Sequence, residues 1–421
     1  MENGPPRGTR DLLPHEVAKR EAVIAELAKS YGRFGFRRID TPCIEDLQRL
    51  SSGEGGDNEK LIYRILRRGL DPVVPAGTEL SELTDLGLRY DLTVPLTRFY
   101  ANNAGKLPSP FRALQIGPAW RAERPQRGRY RQFTQCDIDT IGEPSVLAEC
   151  ELLEATLAAL FAVGIGRVTV RVNDRRLLGA MAAEAGVAGE SLGGLFVTLD
   201  KLDTIGWHKV KAGLAERGFP EDVGERCELL VRTLEEGASA WEALDRAADL
   251  LPSMPESVLS DLRTTFDALA RVTAAGDPET ISSRLDPTIV RGMGYYTGQI
   301  FELAHPDVPS SIAGGGRYDG LVGRSLGREV AACGISIGFD RVVDMARFDP
   351  PDLGVAVLYA GEAVGDVLAA AGALRASGRP AALVVRKGQM RQQLSSLQSE
   401  GYTSFVVLEG DSVSEERPLL D

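Results

Sequence analysis

Three features of the sequence predict an α+β fold, in which an antiparallel sheet is interrupted by a helical insertion and followed by a small α/β domain. Residues 61–140 read as short strands separated by polar turns, in LIYRIL, LGLRYDLT, FRALQIGPAWRAE and YRQFTQCDID. Residues 173–278 are rich in Ala, Leu, Glu and Arg, with Gly or Pro breaks near 213–220 and 252–255, as in consecutive helices. Beyond FDPPDLG the tail alternates VAVLYAG, DVLAAAGALRAS, ALVVR, QMRQQLSSLQSE and FVVLEG, a pattern of parallel strands joined by helices. The segmentation that follows is 1–172, 173–278, 279–347 and 353–421.

Taken in order, the elements have local reasons. From His15 to Gly35 the apolar residues Val17, Ile24, Leu27, Tyr31 and Phe34 recur at helical spacing, and Gly32 and Gly35 end the helix. Phe36, Ile39 and Ile44 then flank Pro42, which suits a strand that is edge-like or bent there. The Ala- and Leu-rich stretch 145–164 is built of good helix formers, and Val168, Val170 and Val172 alternate as a strand does. After the insertion, IVRGMGYYTGQIFELA is strand-like, SSIAGGGRYDGLVG reads as turn-rich, and in CGISIGFDRVVDMARF a strand runs into a helix.

Composition sets outer limits. With 421 residues, 43% hydrophobic and 26% charged, the chain is neither a single small module nor a disordered segment. No apolar run approaches the roughly 18 residues needed to span a bilayer, and MENGPPRGTRDLLP has no apolar core, so neither membrane insertion nor secretion is expected. Five scattered cysteines, never in C-x-x-C spacing, suit the reduced thiols of a cytoplasmic protein. His15, His208 and His305 lie far apart and beside no cysteine, so any metal would be carboxylate-bound. The net charge of −12 argues against indiscriminate nucleic-acid binding and leaves room for a local basic patch.

Such a patch is present in RAERPQRGRYRQFTQCDID, where Arg121, Arg124, Arg127, Arg129 and Arg131 crowd around Gly128. Arginine forks bind phosphate oxygens in pairs and stay charged, so this loop could clamp a polyphosphate; a solvated basic hairpin is the alternative. If the stretch is extended, Glu123, Phe133, Gln135 and Asp139 share a face with Arg121, Arg129 and Arg131, a set that looks like a site. In RYDLTVPLTR, Arg89, Asp91 and Thr93 alternate with Tyr90, Leu92 and Val94. That is either an ammonium-binding face or a strand with one wet side. Arg291 sits among apolar residues and glycine ahead of Tyr295 and Tyr296; it needs a structural carboxylate or an anionic ligand. Gly314, Gly315 and Gly316, ahead of Arg317, Tyr318 and Asp319, permit close approach to a ligand or to another strand.

Together and in this order, the segments resemble the class II aminoacyl-tRNA synthetases, and among them the histidyl-tRNA synthetase family. GFRRIDTPCIED is similar to motif 1, FRALQIGPAWRAERPQRGRYRQFTQCDID to motif 2 and GISIGFDR to motif 3; VRGMGYYTGQIFE and GGGRYDGL resemble the two histidine-specific segments. The resemblance runs from Gly8 to about Gly410. It implies a class II synthetase catalytic domain, with an antiparallel six-stranded sheet flanked by helices, a helical insertion and a C-terminal α/β anticodon-binding-like domain. A homodimer built through motif 1 goes with it. The implied activity is that of a histidine–tRNA ligase: histidine is activated by ATP with Mg2+ and passed to the 3′ end of tRNA(His). On this resemblance Arg121 and Arg291 are the catalytic arginines on the α-phosphate, Arg291 also meeting the histidine carboxylate. Arg129 and Arg131 hold the outer phosphates, Phe133 and Arg341 sandwich the adenine, and Glu123 reads its edge. Asp91, Thr93 and Gln135 contact the α-amino group, Asp139 and Tyr296 read the imidazole, and Tyr295 and Tyr318 line the same pocket.

The chain departs from the family pattern in three places. Gly292, Met293, Gly294, Tyr295 and Tyr296 stand where G-L-D-Y-Y is usual, and Asp91 and Asp139 stand where many bacterial members carry glutamate. After FVVLEG only DSVSEERPLLD follows, and residues 354–421 hold six Lys/Arg against eight Asp/Glu, so the last domain is expected to be shortened and has no positive footprint. Two alternatives stay open. One is the non-catalytic regulatory subunit of ATP phosphoribosyltransferase, against which the full arginine set argues. The other is a histidine-adenylating paralogue with another acceptor.

Overall fold

Helix Pro14–Arg33 ends just before Gly35, whose φ of +81° lies in the left-handed region that glycine enters freely. The strand expected across Pro42 splits into Arg37–Arg38 and Ile44–Asp46 on either side of it, since proline lacks the N–H that a ladder needs. The structure, a computed structural model, describes residues 3–51, 60–71, 73–125, 129–236, 239–275, 281–290, 295–347, 352–410 and 412–419. The chain forms two units, Met1–Asp11 with Ile24–Ala346, and Leu12–Val23 with Arg347–Asp421.

The larger unit is organised by one eight-stranded sheet. Its order is Arg37–Arg38, Phe111–Trp120, Gln132–Ile141, Ala332–Ile337, Val308–Arg317, Gln299–His305, Val168–Asp174 and Ile281–Leu285. The six inner strands are antiparallel, as in a class II catalytic sheet, and each edge strand runs parallel to its neighbour. The edge strand Ile281–Leu285 was not anticipated; ISSRL offers no apolar alternation to mark it.

Two readings of the strand-rich first part are corrected. Ile44–Asp46, Thr84–Leu88 and Arg64–Leu66 leave the main sheet and form a separate three-stranded antiparallel one. The expected strand through Arg89, Asp91 and Thr93 stops at Leu88, and helix Thr93–Asn103 begins instead. The cause is local: the Asp91 carboxylate accepts the Val94 amide at 3.1 Å and so caps the first helical turn.

The third correction concerns the triple glycine, which lies inside strand Val308–Arg317 rather than in a turn. Gly314, Gly315 and Gly316 pair with Ser336, Ile335 and Gly334 on one side and with Glu302, Phe301 and Ile300 on the other. A Cβ on Gly315 would lie 1.9 Å from the Gly334 carbonyl oxygen, and one on Gly316 would lie 2.5 Å from that of Gln299. Close approach to neighbouring strands is therefore what these glycines provide.

Between Val168–Asp174 and Ile281–Leu285 the described chain is helical, with Arg175–Glu184, Ser191–Leu199, Leu202–Glu216, Glu221–Glu235, Ala240–Leu250 and Glu256–Ala275. Ser239 and Glu242 close a capping box on the fifth of these. In the smaller unit Ala381–Val385, Val355–Tyr359 and Ser404–Glu409 form a parallel sheet in that order. Val355 and Val357 pack with Val367, Ala370 and Ala371 of one helix, while Ala356 and Leu358 pack with Leu397 of the other. One strand thus serves two apolar layers by alternation. The short strands Ser412–Val413 and Arg417–Pro418 return antiparallel to Ser404–Glu409.

The inner sheet leaves no room for a methyl group at position 315. Gly315→Ala is expected to lower stability by about 1–3 kcal/mol, read as a fall of several degrees in the thermal midpoint.

Candidate active site

Residues paired across neighbouring strands share a face of the sheet. Gln115, Asp137 and Ser336 form one such row, and Ala113, Asp139 and Gly334 the next, while Gly117 lies opposite Gln135. Alternation along Gln132–Ile141 therefore puts Phe133, Gln135, Asp137 and Asp139 on one face. The sequence reading named all of these but Asp137, although its parity is the same.

This face holds acids in an apolar setting. Asp139 is 2% exposed; its Oδ1 accepts the Tyr318 hydroxyl at 2.5 Å and its Oδ2 has no hydrogen-bond partner. A Cβ on Gly334 would stand 1.9 Å from Asp139 Oδ1, so glycine in the facing strand makes room for the carboxyl group. Burial, reinforced by the charge of Asp91 and only partly countered by the Tyr318 bond, pushes Asp139 up to about 7. Asp137 Oδ2 accepts Gln135 Nε2 at 3.3 Å while Oδ1 has no partner. Burial first, then the charges of Asp139 and Asp91, outweigh the Ser336 hydroxyl and the nearby Arg121 and hold Asp137 well above the usual carboxylate range. Gln135 Nε2 also donates to Ser336 Oγ at 3.2 Å, and Gln135 Oε1 has no partner. Asp91 is raised by burial despite its amide bonds to Val94 and Thr93 and the nearby Arg121; its Oδ2 too has no partner.

Arginines border the acids. Arg121 donates from Nε to the Tyr90 carbonyl at 3.1 Å, sits 5.0 Å from the Phe133 ring centroid, and is near enough to Asp91 and Asp137 to favour their ionised forms. Arg341 Nη1 donates to the Ser311 carbonyl at 2.7 Å; burial and the facing Arg129 both lower its pKa, so two guanidinium groups converge here. The helix that carries Arg341 is fixed to the Phe133 strand by Asp340, which accepts the Thr134 amide at 3.3 Å and Arg10 at 3.0 Å. Arg131 is engaged by backbone, with Nε on the Glu123 carbonyl at 3.1 Å and Nη1 on the Arg7 carbonyl at 3.3 Å. Glu123 contributes that carbonyl. Arg121, Glu123, Arg129 and Arg131 lie outside the two long strands, so the shared-face rule applies only from Phe133 on.

Tyrosines line the rest. Tyr295 lies 4.9 Å from Tyr296 and 6.0 Å from Tyr318 between ring centroids. Their setting depends on Arg317, which makes two 2.6 Å bonds to Glu149 and whose carbonyl accepts the Thr297 amide at 2.8 Å. Burial works against the charge of Arg317, and the paired carboxylate more than restores it. Arg291 lies outside the described residues, as do Arg127 and Gly128. Among the described residues, no group of three His, Cys, Asp or Glu side chains is placed to hold a metal ion.

The sequence reading also passed over the support given by Gln115 and Arg89. Gln115 donates to the Leu92 carbonyl at 3.0 Å and accepts Thr41 at 3.3 Å. Arg89, 2% exposed, donates to the carbonyls of Pro118 at 2.8 Å and Thr41 at 2.6 Å. In sequence Arg89 reads as part of an ammonium-binding face or of the wet side of a strand, whereas in the structure it is buried on backbone carbonyls. The whole arrangement presents buried acceptors for a cation at one end and converging guanidinium groups for an anion at the other. Because folded Asp139 binds its proton more tightly than a free carboxyl of pKa 3.8, unfolding releases that proton between about pH 4 and 7, and stability falls as pH rises through this window. Asp139→Asn is expected to flatten that fall and to raise the midpoint at pH 8 by about 2 °C or more, measured by thermal denaturation across pH.

A family model described as histidyl-tRNA synthetase matches residues 8–342. A histidine–tRNA ligase of Leifsonia xyli subsp. xyli is 45% identical over 419 residues, covering 97% of this chain and 96% of that protein. The crystal structure of histidyl-tRNA synthetase from a Nostoc species superposes with a TM-score of 0.75 at 25% identity, covering 98% of this chain and 92% of that one. A structure from Bacillus halodurans described as an ATP phosphoribosyltransferase regulatory subunit/histidyl-tRNA synthetase also reaches 0.75, at 20% identity over 98% of this chain and 100% of that one, and speaks to the fold alone. With the family model spanning most of the chain and a 45% identical relative spanning nearly all of it, the chain belongs to the histidyl-tRNA synthetase family.

Proposed function

We propose that this chain activates histidine with ATP to histidyl-adenylate and then transfers the histidyl group to the 3′ end of tRNA(His). The observation that carries the reading is the pairing of buried acceptors on Asp91, Gln135 and Asp139 with the arginines Arg121, Arg129 and Arg341. An amino acid with a cationic amine and a ring N–H suits the first group, and a nucleoside triphosphate the second.

In this reading the histidine carboxylate attacks the α-phosphorus, the new bond forms as the bond to the β-phosphate oxygen breaks, and pyrophosphate leaves. A hydroxyl of the terminal adenosine of the tRNA then attacks the acyl carbon, and AMP leaves. The first nucleophile is already an anion, so no protein base is needed there. Arg121 and Arg291 stabilise the charge that builds at phosphorus, while Arg129 and Arg131 meet the outer phosphates. Phe133 and Arg341 hold the adenine and Glu123 its edge. Asp91, Thr93 and Gln135 take the amine, and Asp139, Tyr295, Tyr296 and Tyr318 form the imidazole pocket. Asp139, with its hydroxyl-bonded carboxyl group, rejects isosteres that lack the ring N–H. Magnesium accompanies ATP in the family; the described residues offer it no cage, and no step here is routed through it.

The enzyme works as a cytoplasmic homodimer. Free cysteines at all five positions suit a reducing compartment, and no described helix is long and apolar enough to cross a membrane. Ile44 (48% exposed) and Leu86 (38% exposed) lie on the small sheet that follows Pro42, an apolar surface suited to a second copy.

Histidine-dependent ATP–pyrophosphate exchange, followed in the same tube by charging of total tRNA, tests the reading. Exchange with charging is expected. Exchange alone marks an adenylating paralogue, and histidine binding without exchange marks a regulatory subunit. Arg121→Ala and Arg291→Ala should each lower exchange by about 10²-fold or more with the dimer intact, and retention within a few-fold removes the assigned role. Ile44→Asp should convert the dimer to monomer by analytical ultracentrifugation.

A further inference from the structure

We propose that Asp137 is a histidine-binding residue that accepts one N–H of the α-ammonium group; the assignment rests on the histidine reading above. Three observations lead to it. Asp137 is 3% exposed and sits in the strand row between Gln115 and Ser336, on the face that carries Gln135 and Asp139. Its Oδ2 is engaged by Gln135, whereas Oδ1 is buried with no hydrogen-bond partner. On the same face, Gln135 Oε1, a neutral acceptor, and Asp139 Oδ2 are likewise buried without a partner, as is Asp91 Oδ2 in the segment ahead of helix Thr93–Asn103.

An ammonium group carries three N–H donors and accepts nothing, and an imidazole of neutral charge offers one N–H. The strand face supplies three buried acceptor atoms without partners, on Gln135, Asp137 and Asp139, and Asp91 ahead of the helix supplies a fourth. Asp139 is tied to Tyr318 in the ring of tyrosines and so belongs to the imidazole. Asp91, Gln135 and Asp137 remain as the buried acceptors for the ammonium group, with the half-buried Thr93 hydroxyl beside them, and a buried acceptor left unmatched would cost the site its full desolvation penalty. A metal ion is a poor occupant, because these side chains are not set as a metal-binding group. Asp137 therefore adds a fully buried carboxyl acceptor to the contacts of Asp91, Thr93 and Gln135.

Asp137→Asn keeps the shape and removes the charge. Isothermal calorimetry with the dimeric protein should show affinity for histidine and for histidinol, which both carry the amine, reduced about tenfold or more. Affinity for 3-(imidazol-4-yl)propionate, which lacks the amine, should stay within twofold, as should the KM for ATP in exchange. Equal loss for all three ligands overturns the assignment, because Asp137 would then act on the ring or on the fold; no loss for any overturns it as well. Asp137→Ser, measured in the same way, replaces the asparagine variant if that one fails to fold. If the parent binds none of the three ligands, the histidine reading itself fails; if the parent binds histidine and the variants match it, only the role of Asp137 does.

Discussion

Three carboxyl groups are buried near one another, Asp137 and Asp139 on one face of the sheet and Asp91 in the segment ahead of helix Thr93–Asn103, and much of the neighbouring structure serves to house them. Removing a carboxylate from water is expensive, and like charges close together add to the cost. The fold answers with a glycine opposite Asp139, a tyrosine hydroxyl on it, an amide on Asp137, a helix start on Asp91 and a guanidinium nearby. Each is a partial remedy, and the proton held on Asp139 near neutrality measures what is left over. A cationic group placed among these acids would relieve that cost.

The second requirement is precision in where the ring of tyrosines meets those acids. Arg317 grips Glu149 with both arms, and its own carbonyl fixes the segment leading from Tyr296. Tyr318 follows directly in the chain and reaches Asp139. A buried ion pair of this kind is weak evidence for stability but fixes direction, and here it orients the segment that brings Tyr318 to Asp139.

Sequence alternation was a good guide within the strand Gln132–Ile141, where it sets which side chains share a face. Phe133, Gln135 and Asp139 were legible in this way; Asp137 obeyed the same rule and was passed over because no role had been attached to it. Where the decisive partner was backbone, the sequence was silent. Arg131 and Arg341 read as ligand arginines, yet each also secures a carbonyl, of Glu123 and of Ser311. Gly314, Gly315 and Gly316 read as a turn because glycine usually marks one, whereas here the missing side chains let strands approach. Asp91 was the right residue in the wrong element: its capping bond to Val94 ends the strand pattern that had suggested it.

Arg89 links two stretches far apart in the chain, with its guanidinium on the carbonyls of Thr41 and Pro118. It lies so close to Gly117 that a Cβ there would stand 2.6 Å from Arg89 Nη2. The two positions therefore constrain one another. A side chain at 117 displaces a guanidinium that two carbonyls hold in place, and shortening residue 89 strips the carbonyls of Thr41 and Pro118 of their donor. Either first step is harmful by itself, so the pair forms an evolutionary ratchet: once arginine and glycine are both in place, neither can drift alone.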